Sequence, residues 1–239
     1  MTDIQELISD IAHRPFPIPG EQWAYYQEWN NALFLHWAIP LEIVRKCVPD
    51  KLNIDTYDGT CYVSLVAFSM EKIRPSYLPS IQFISDFAEI NIRTYINMDG
   101  RKGVYFLNIE SEKSLSAFVA RIVSGLPYEK ANINRTGQKF ISTNVKKNFR
   151  LDAEFEIQST IEHKTALDQW LTERYSLYLD IGHEFYRYDI HHKEWELKKI
   201  RLNKLNLKYQ IGDIKLTEQP NLSHYSNGVK VIAWKRQKI

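Results

Sequence analysis

The chain has 239 residues, 44% of them hydrophobic and 13% aromatic, enough apolar surface to offset the entropy of ordering one large core and to exclude a disordered chain. Its 31 basic and 29 acidic side chains leave a formal charge of +2, so no strong field draws it to nucleic acid or to a membrane surface. Two cysteines outside any CxxC spacing exclude a disulfide framework, and Asp3, Glu6 and Asp10 stand where an export signal needs basic residues, so a reducing, cytoplasmic location is expected.

In chain order, runs of β-branched and aromatic residues predict strands over roughly 23–37, 53–57, 61–73, 87–97, 103–110, 128–135, 138–147, 151–158, 176–181, 184–192, 195–208 and 229–235. The most apolar stretch, 32–41, is broken by His36 and Pro40 and falls short of the ~20 residues of a membrane helix. Asp58-Gly59, Asp99-Gly100, Thr136-Gly137 and Asn227-Gly228 read as hairpin turns, which makes the sheet largely antiparallel. That many strands exceed one open sheet, so a mostly β fold with a few covering helices, closed into a barrel or stacked as a sandwich, is expected for a single domain over residues 1–239. A short helix is expected from Pro40 to before Pro49, an amphipathic one over 112–124, and a third over 166–174 capped by Thr165; residues 75–85 read as a loop or lid.

Strand 87–97 carries the clearest chemical signal. Glu89, Asn91, Arg93 and Tyr95 share one face, and Ile90, Ile92 and Ile96 the other. If the isoleucine face seals against a covering helix, the carboxyl and the guanidinium turn toward a barrel interior, where burial demands that they meet each other or a ligand. The alternative is a solvated pair on an open sandwich. His36, in an apolar run, is either a hydrogen-bonded core residue or a titratable donor to the same pocket, beside Trp37. Asp189 and His191 share a strand face, with His183 and His192 near, but two alternating ligands make no metal site, and no metal or cofactor is expected. Nucleophile-elbow serines, phosphate-cradling glycine loops and dinucleotide fingerprints are absent. Arg174, Tyr175, His224 and Tyr225 are second candidates, read first as structural hydrogen-bonding groups.

Phe34-Leu35-His36-Trp37, Asp55-Thr56-Tyr57-Asp58-Gly59, Ala88 to Tyr95, Gly103-Val104-Tyr105-Phe106, Gly125-Leu126-Pro127-Tyr128, Leu171 to Tyr175 and Asn227-Gly228-Val229 follow one another in unbroken order. Together they resemble the YqjF-like family of uncharacterised bacterial proteins, which is grouped with the acetoacetate-decarboxylase-like fold. The resemblance implies an antiparallel β-barrel with an internal pocket. It implies a carboxylate at Glu89, and it sets Tyr128 and Glu129 where the decarboxylases carry a lysine pair. A Schiff-base amine must be neutral, about three pKa units below an ordinary lysine; Lys130, with Glu129 beside it, is a poor substitute. The decarboxylases' early arginine is replaced near Ala38, leaving Arg93 or Arg121 to hold a carboxylate.

Two functional readings follow, beside a third in which the chain is a subunit or scaffold whose barrel is merely packed. The first is a barrel that binds a small molecule, such as a carboxylate, without covalent chemistry, through His36, Trp37, Arg93 and Arg121. The second is an enzyme of decarboxylase or lyase type acting on a small oxo-acid, with Glu89, Tyr128 and Lys130 as catalytic groups. Neither calls for nucleic acid or membrane, and self-association is open.

Overall fold

The computed structural model describes residues 3–112, 128–182 and 184–239, with backbone alone at 83 and 84. Its strands are β1 (Tyr25–Ile39), β2 (Cys61–Pro75), β3 (Phe87–Met98), β4 (Arg101–Ser111), β5 (Tyr128–Lys130), β6 (Asn132–Thr136), β7 (Lys139–Asn144), β8 (Phe149–Thr160), β9 (Ser176–Ile181), β10 (Glu184–His192), β11 (Lys198–Ile211), β12 (Ile214–Leu216), β13 (Leu222–Ala233) and β14 (Gln237–Lys238). Among the described residues four short helices accompany them: α1 (Asp3–Ser9), α2 (Leu41–Arg45), α3 (Gln82–Ser85) and α4 (Ala166–Thr172). The class is mostly β, as expected. No described helix is long and apolar enough to cross a membrane.

All of the strands join one hydrogen-bonded sheet, and part of it closes on itself. The path β10-β9-β4-β3-β2-β1-β13 returns to β10 through the pairs Ile190↔Ala233, His191↔Ile232 and His192↔Val231. Seven strands therefore form a ring with no free edge along that circuit. Pairing is antiparallel except where β4 meets β9 and β5. Gly103 makes the parallel contact feasible, because a Cβ there would lie 2.2 Å from the Ser176 carbonyl oxygen.

Beyond β13 the sheet continues through β11, β8, β7 and β6, and this second arm covers the outer face of β1–β3. Leu33, Leu35, Leu65, Ile90 and Ile92 share a core there with Phe140, Leu151 and Phe155. The isoleucine face of β3 is thus sealed by a second layer of sheet, where a helix was expected. Burial on both faces explains why β1 and β2 read as continuous apolar runs instead of alternating. The predicted helix over 112–124 and Arg121 lie outside the described residues.

Local signals correspond closely elsewhere. Asp99 and Gly100, at φ 53° and 80°, turn β3 into β4, and Gly137 turns β6 into β7. Thr165 caps α4 in a reciprocal capping box with Asp168, while Pro40 sits at the N-cap of α2, one position before the first turn. Asn227-Gly228 is no turn: it lies inside β13, where Gly228 (φ 137°) faces Asn30 and a Cβ would come within 2.4 Å of the Asn30 Oδ1. A glycine within a strand marks close backbone approach as readily as a chain reversal, and here the irregularity beside Asn31 (φ 57°) in β1 requires it. The expected strand over 53–57 reduces to isolated bridges at Ile54 and Tyr57, and a short helix, α3, lies in the expected loop.

Candidate functional site

Because β3 alternates, sealing Ile90 and Ile92 in the outer core turns Glu89, Asn91 and Arg93 into the seven-stranded ring. They face a cavity of about 60 Å³, space for roughly four to six water-sized atoms. Aromatic walls come from Trp29 and Phe34 of β1, Phe68 of β2, Phe106 of β4 and Trp195 ahead of β11, with Tyr128 of β5 beside them. No lysine lines it among the described residues.

Glu89 is 3% exposed. One carboxyl oxygen accepts from Asn91 Nδ2 at 3.1 Å and the other from the Tyr128 hydroxyl at 2.8 Å. Burial pushes its pKa up from 4.5 to about 7, against the opposing pull of those two bonds and of Arg93. Tyr128 is driven well above the usual phenol range, by burial first and then by the Glu89 carboxylate. At neutral pH Tyr128 therefore keeps its proton, and Glu89 is the member of the pair that titrates.

Arg93 is buried with its guanidinium carbon 5.9 Å from the Phe34 ring centre. Burial lowers its pKa, yet a guanidinium stays charged in any protein environment. Among the described residues its Nε has no hydrogen-bond partner. A buried, incompletely paired cation beside a carboxyl that burial tends to neutralise leaves the cavity with a positive bias, suited to one anionic group.

The structure separates the remaining predicted residues. His36 is fully buried but does not line the cavity: Nδ1 lies 2.6 Å from the Ser64 hydroxyl, and Phe34 stacks beside the ring. Trp37, next along the strand, points to the opposite face, packs in the outer core and donates its indole N–H to the Glu218 carbonyl at 3.0 Å. Lys130 is exposed, although Tyr128 two residues earlier reaches inward. Strand β5 is only three residues long, and its far end leaves the ammonium in water, where it avoids the cost of unpaired burial.

Among the described residues no group of three His, Cys, Asp or Glu side chains could hold a metal. Asp189 pairs instead with Arg187 at 3.1 Å, and His191 Nε2 meets the Leu7 carbonyl at 2.8 Å; His183 lies outside the described residues. Sequence reasoning missed the roles of Ser64 and Asp168, which join His36 and His224 in one buried network. The strand alternation that singled out Tyr95 could also have flagged Ser64, its near neighbour across β2–β3, but nothing local links either to Asp168. The cavity's tryptophans were equally hidden among ordinary strand aromatics.

This geometry can be set beside known proteins. The family DUF2071, described as an uncharacterized conserved protein, matches residues 26–230. "Uncharacterized protein YqjF" of Bacillus subtilis (strain 168) is 33% identical over 229 residues, covering 92% of this chain and 95% of that protein. In fold the chain is similar to an acetoacetate decarboxylase, at a TM-score of 0.61 and 16% identity over 100% of this chain and 98% of the other. It is also similar to the enduracididine biosynthesis enzyme MppR complexed with pyruvate, at a TM-score of 0.58 and 10% identity over 94% and 93% of the two chains. The ring and its inward carboxyl thus sit within an acetoacetate-decarboxylase-like fold, and the chain belongs to the DUF2071 family of YqjF-like proteins.

Proposed function

We propose that the chain binds a small organic carboxylate, without forming a covalent bond, in the cavity between Arg93 and the Glu89–Tyr128 pair. One observation carries the reading: the buried guanidinium of Arg93, its Nε without a partner among the described residues, faces the same small enclosed space as a carboxyl whose charge burial suppresses. An anionic ligand supplies the missing counter-charge. The aromatic walls hold the rest of a three- or four-carbon skeleton, and Tyr128 or protonated Glu89 donates to a carbonyl or hydroxyl oxygen. Imine chemistry needs an amine in the cavity, and the lining offers none among the described residues.

Pyruvate, the molecule named with the fold relative MppR, is the first probe. Calorimetry of pyruvate, 2-oxobutyrate, acetoacetate and the corresponding amides tests the reading at pH 6, where Glu89 is protonated. Selective binding of the acids, lost in Arg93→Met, is expected; equal binding of acids and amides sinks it.

A second reading, an enzyme on a small oxo-acid, is favoured by the pKa of Glu89 itself, since an acid or base poised near 7 is most effective at neutral pH. Release of carbon dioxide from acetoacetate, abolished in Glu89→Gln, would establish it. Binding without turnover leaves the first.

A further inference from the structure

Resting on the carboxylate reading, we infer that Tyr95 is a positioning residue for Arg93, held by a one-directional series of hydrogen bonds running through Ser64, His36 and His224 to Asp168. The links are buried, and all but the one between the two histidines are shorter than 3 Å. Tyr95 Oη lies 2.6 Å from Ser64 Oγ, which lies 2.6 Å from His36 Nδ1; His36 Nε2 lies 3.4 Å from His224 Nδ1, and His224 Nε2 lies 2.9 Å from Asp168 Oδ1. Five side chains from β3, β2, β1, β13 and α4 are aligned, although no two are neighbours in sequence.

The chemistry of the far end fixes the direction. Asp168 Oδ2 accepts from the Thr165 N–H at 2.8 Å and Oδ1 accepts from His224, so His224 carries its proton on Nε2 and offers Nδ1 as an acceptor. His36 then donates from Nε2 and accepts at Nδ1 from the Ser64 hydroxyl. Ser64 oxygen accepts in turn from Tyr95, whose phenol oxygen is left with lone pairs for the guanidinium of Arg93, two residues away on the same face of β3. The Leu171 carbonyl, 3.1 Å away, is a second acceptor for the same phenol proton and leaves those lone pairs free. Burial holds both imidazoles neutral at pH 7, as the series requires. Arg174, itself paired with Asp55 at 2.6 Å, stacks 4.8 Å over the Tyr95 ring and fixes its plane.

Each donor in this row points toward the aspartate, so the bonds polarise one another and carry negative character toward Arg93. The guanidinium gains a neutral acceptor behind it in addition to the Glu89 carboxyl in the same cavity. That leaves its outer edge open to a ligand's carboxylate, which a direct ion pair would block. Tyr95 on this account touches no ligand; it decides where Arg93 points.

Two measurements test the inference. In unliganded protein at pH 7, nitrogen-15 NMR should find His36 and His224 both neutral and protonated on Nε2; a proton on Nδ1 of either overturns the series. For binding, Tyr95→Phe should weaken pyruvate about tenfold while affinity for pyruvamide, followed by ligand-observed NMR, is unchanged. Ser64→Ala, a smaller perturbation that keeps the phenol, should show the same selectivity for the acid. Equal losses for both compounds, or none, in variants with cooperative unfolding overturn the positioning role. Wild-type protein that binds neither compound overturns the carboxylate reading instead, and the histidine tautomers then still decide whether the series exists.

Discussion

Replacing Glu89 by Gln should change how stability depends on pH more than it changes stability itself. The carboxyl's pKa rises from 4.5 to about 7 in the fold, and at 1.36 kcal/mol per unit this amounts to about 3 kcal/mol. The sign follows from proton binding. Below pH 4.5 both folded and unfolded states hold the proton, and the group contributes nothing. Between 4.5 and 7 the unfolded chain releases it while the folded chain keeps it, so wild-type stability falls as pH rises, and the full cost is present above 7. Glutamine does not titrate. Urea unfolding of both proteins at pH 4.5, 5.5, 6.5 and 7.5 should show the difference, variant minus wild type, growing by about 3 kcal/mol across that range. Altered bonds to Asn91 and Tyr128 add an offset that does not depend on pH, and titration of His36 and His224 cancels between the two proteins. A difference that stays constant with pH would instead mean that water reaches Glu89 and that the cavity is not enclosed. Saturating pyruvate, by adding a negative charge nearby, should raise the wild-type midpoint further.

Arg93→Met should abolish pyruvate binding and yet raise stability by about 1–2 kcal/mol in urea, since an apolar side chain of similar length replaces an incompletely paired buried charge. Lys130→Ala should leave stability within about 0.5 kcal/mol and pyruvate affinity unchanged in calorimetry, as expected of an exposed amine. Borohydride reduction with pyruvate should add no mass to the wild-type protein, and a ligand adduct at any lysine would reinstate covalent chemistry. Gly228→Ala should destabilise by about 3 kcal/mol in chemical denaturation, because its Cβ would meet Asn30 Oδ1 at 2.4 Å and the Trp29 carbonyl at 2.5 Å.

Period-two alternation along 87–97 was enough to put Glu89 and Arg93 on one face and the isoleucines on the other, since a strand's geometry admits no other assignment of faces. Turn chemistry at Asp99-Gly100 and the Thr165 cap were legible for the same reason: a left-handed φ or an orphan N–H is met by a few residue types within a few positions. The same local rule failed at Asn227-Gly228, where the demand for glycine came from Asn30, nearly two hundred residues earlier in the chain and adjacent only in the folded sheet.

Which face of β3 is inside, and what covers the other, depended on contacts of that long-range kind. Sequence could not say that β6–β8 and β11, rather than a helix, would seal the isoleucines, because any apolar surface satisfies them equally. Nor could it tell that Tyr128 reaches Glu89 while Lys130 stays in water, a matter of where a three-residue strand ends. The row from Tyr95 to Asp168 shows the limit most plainly: it draws one side chain from each of five elements, and hydrogen-bond distance is a property of their packing. Backbone alternation chose the residues that could enter the interior, and the closure of β10 onto β13 gave that interior its contents.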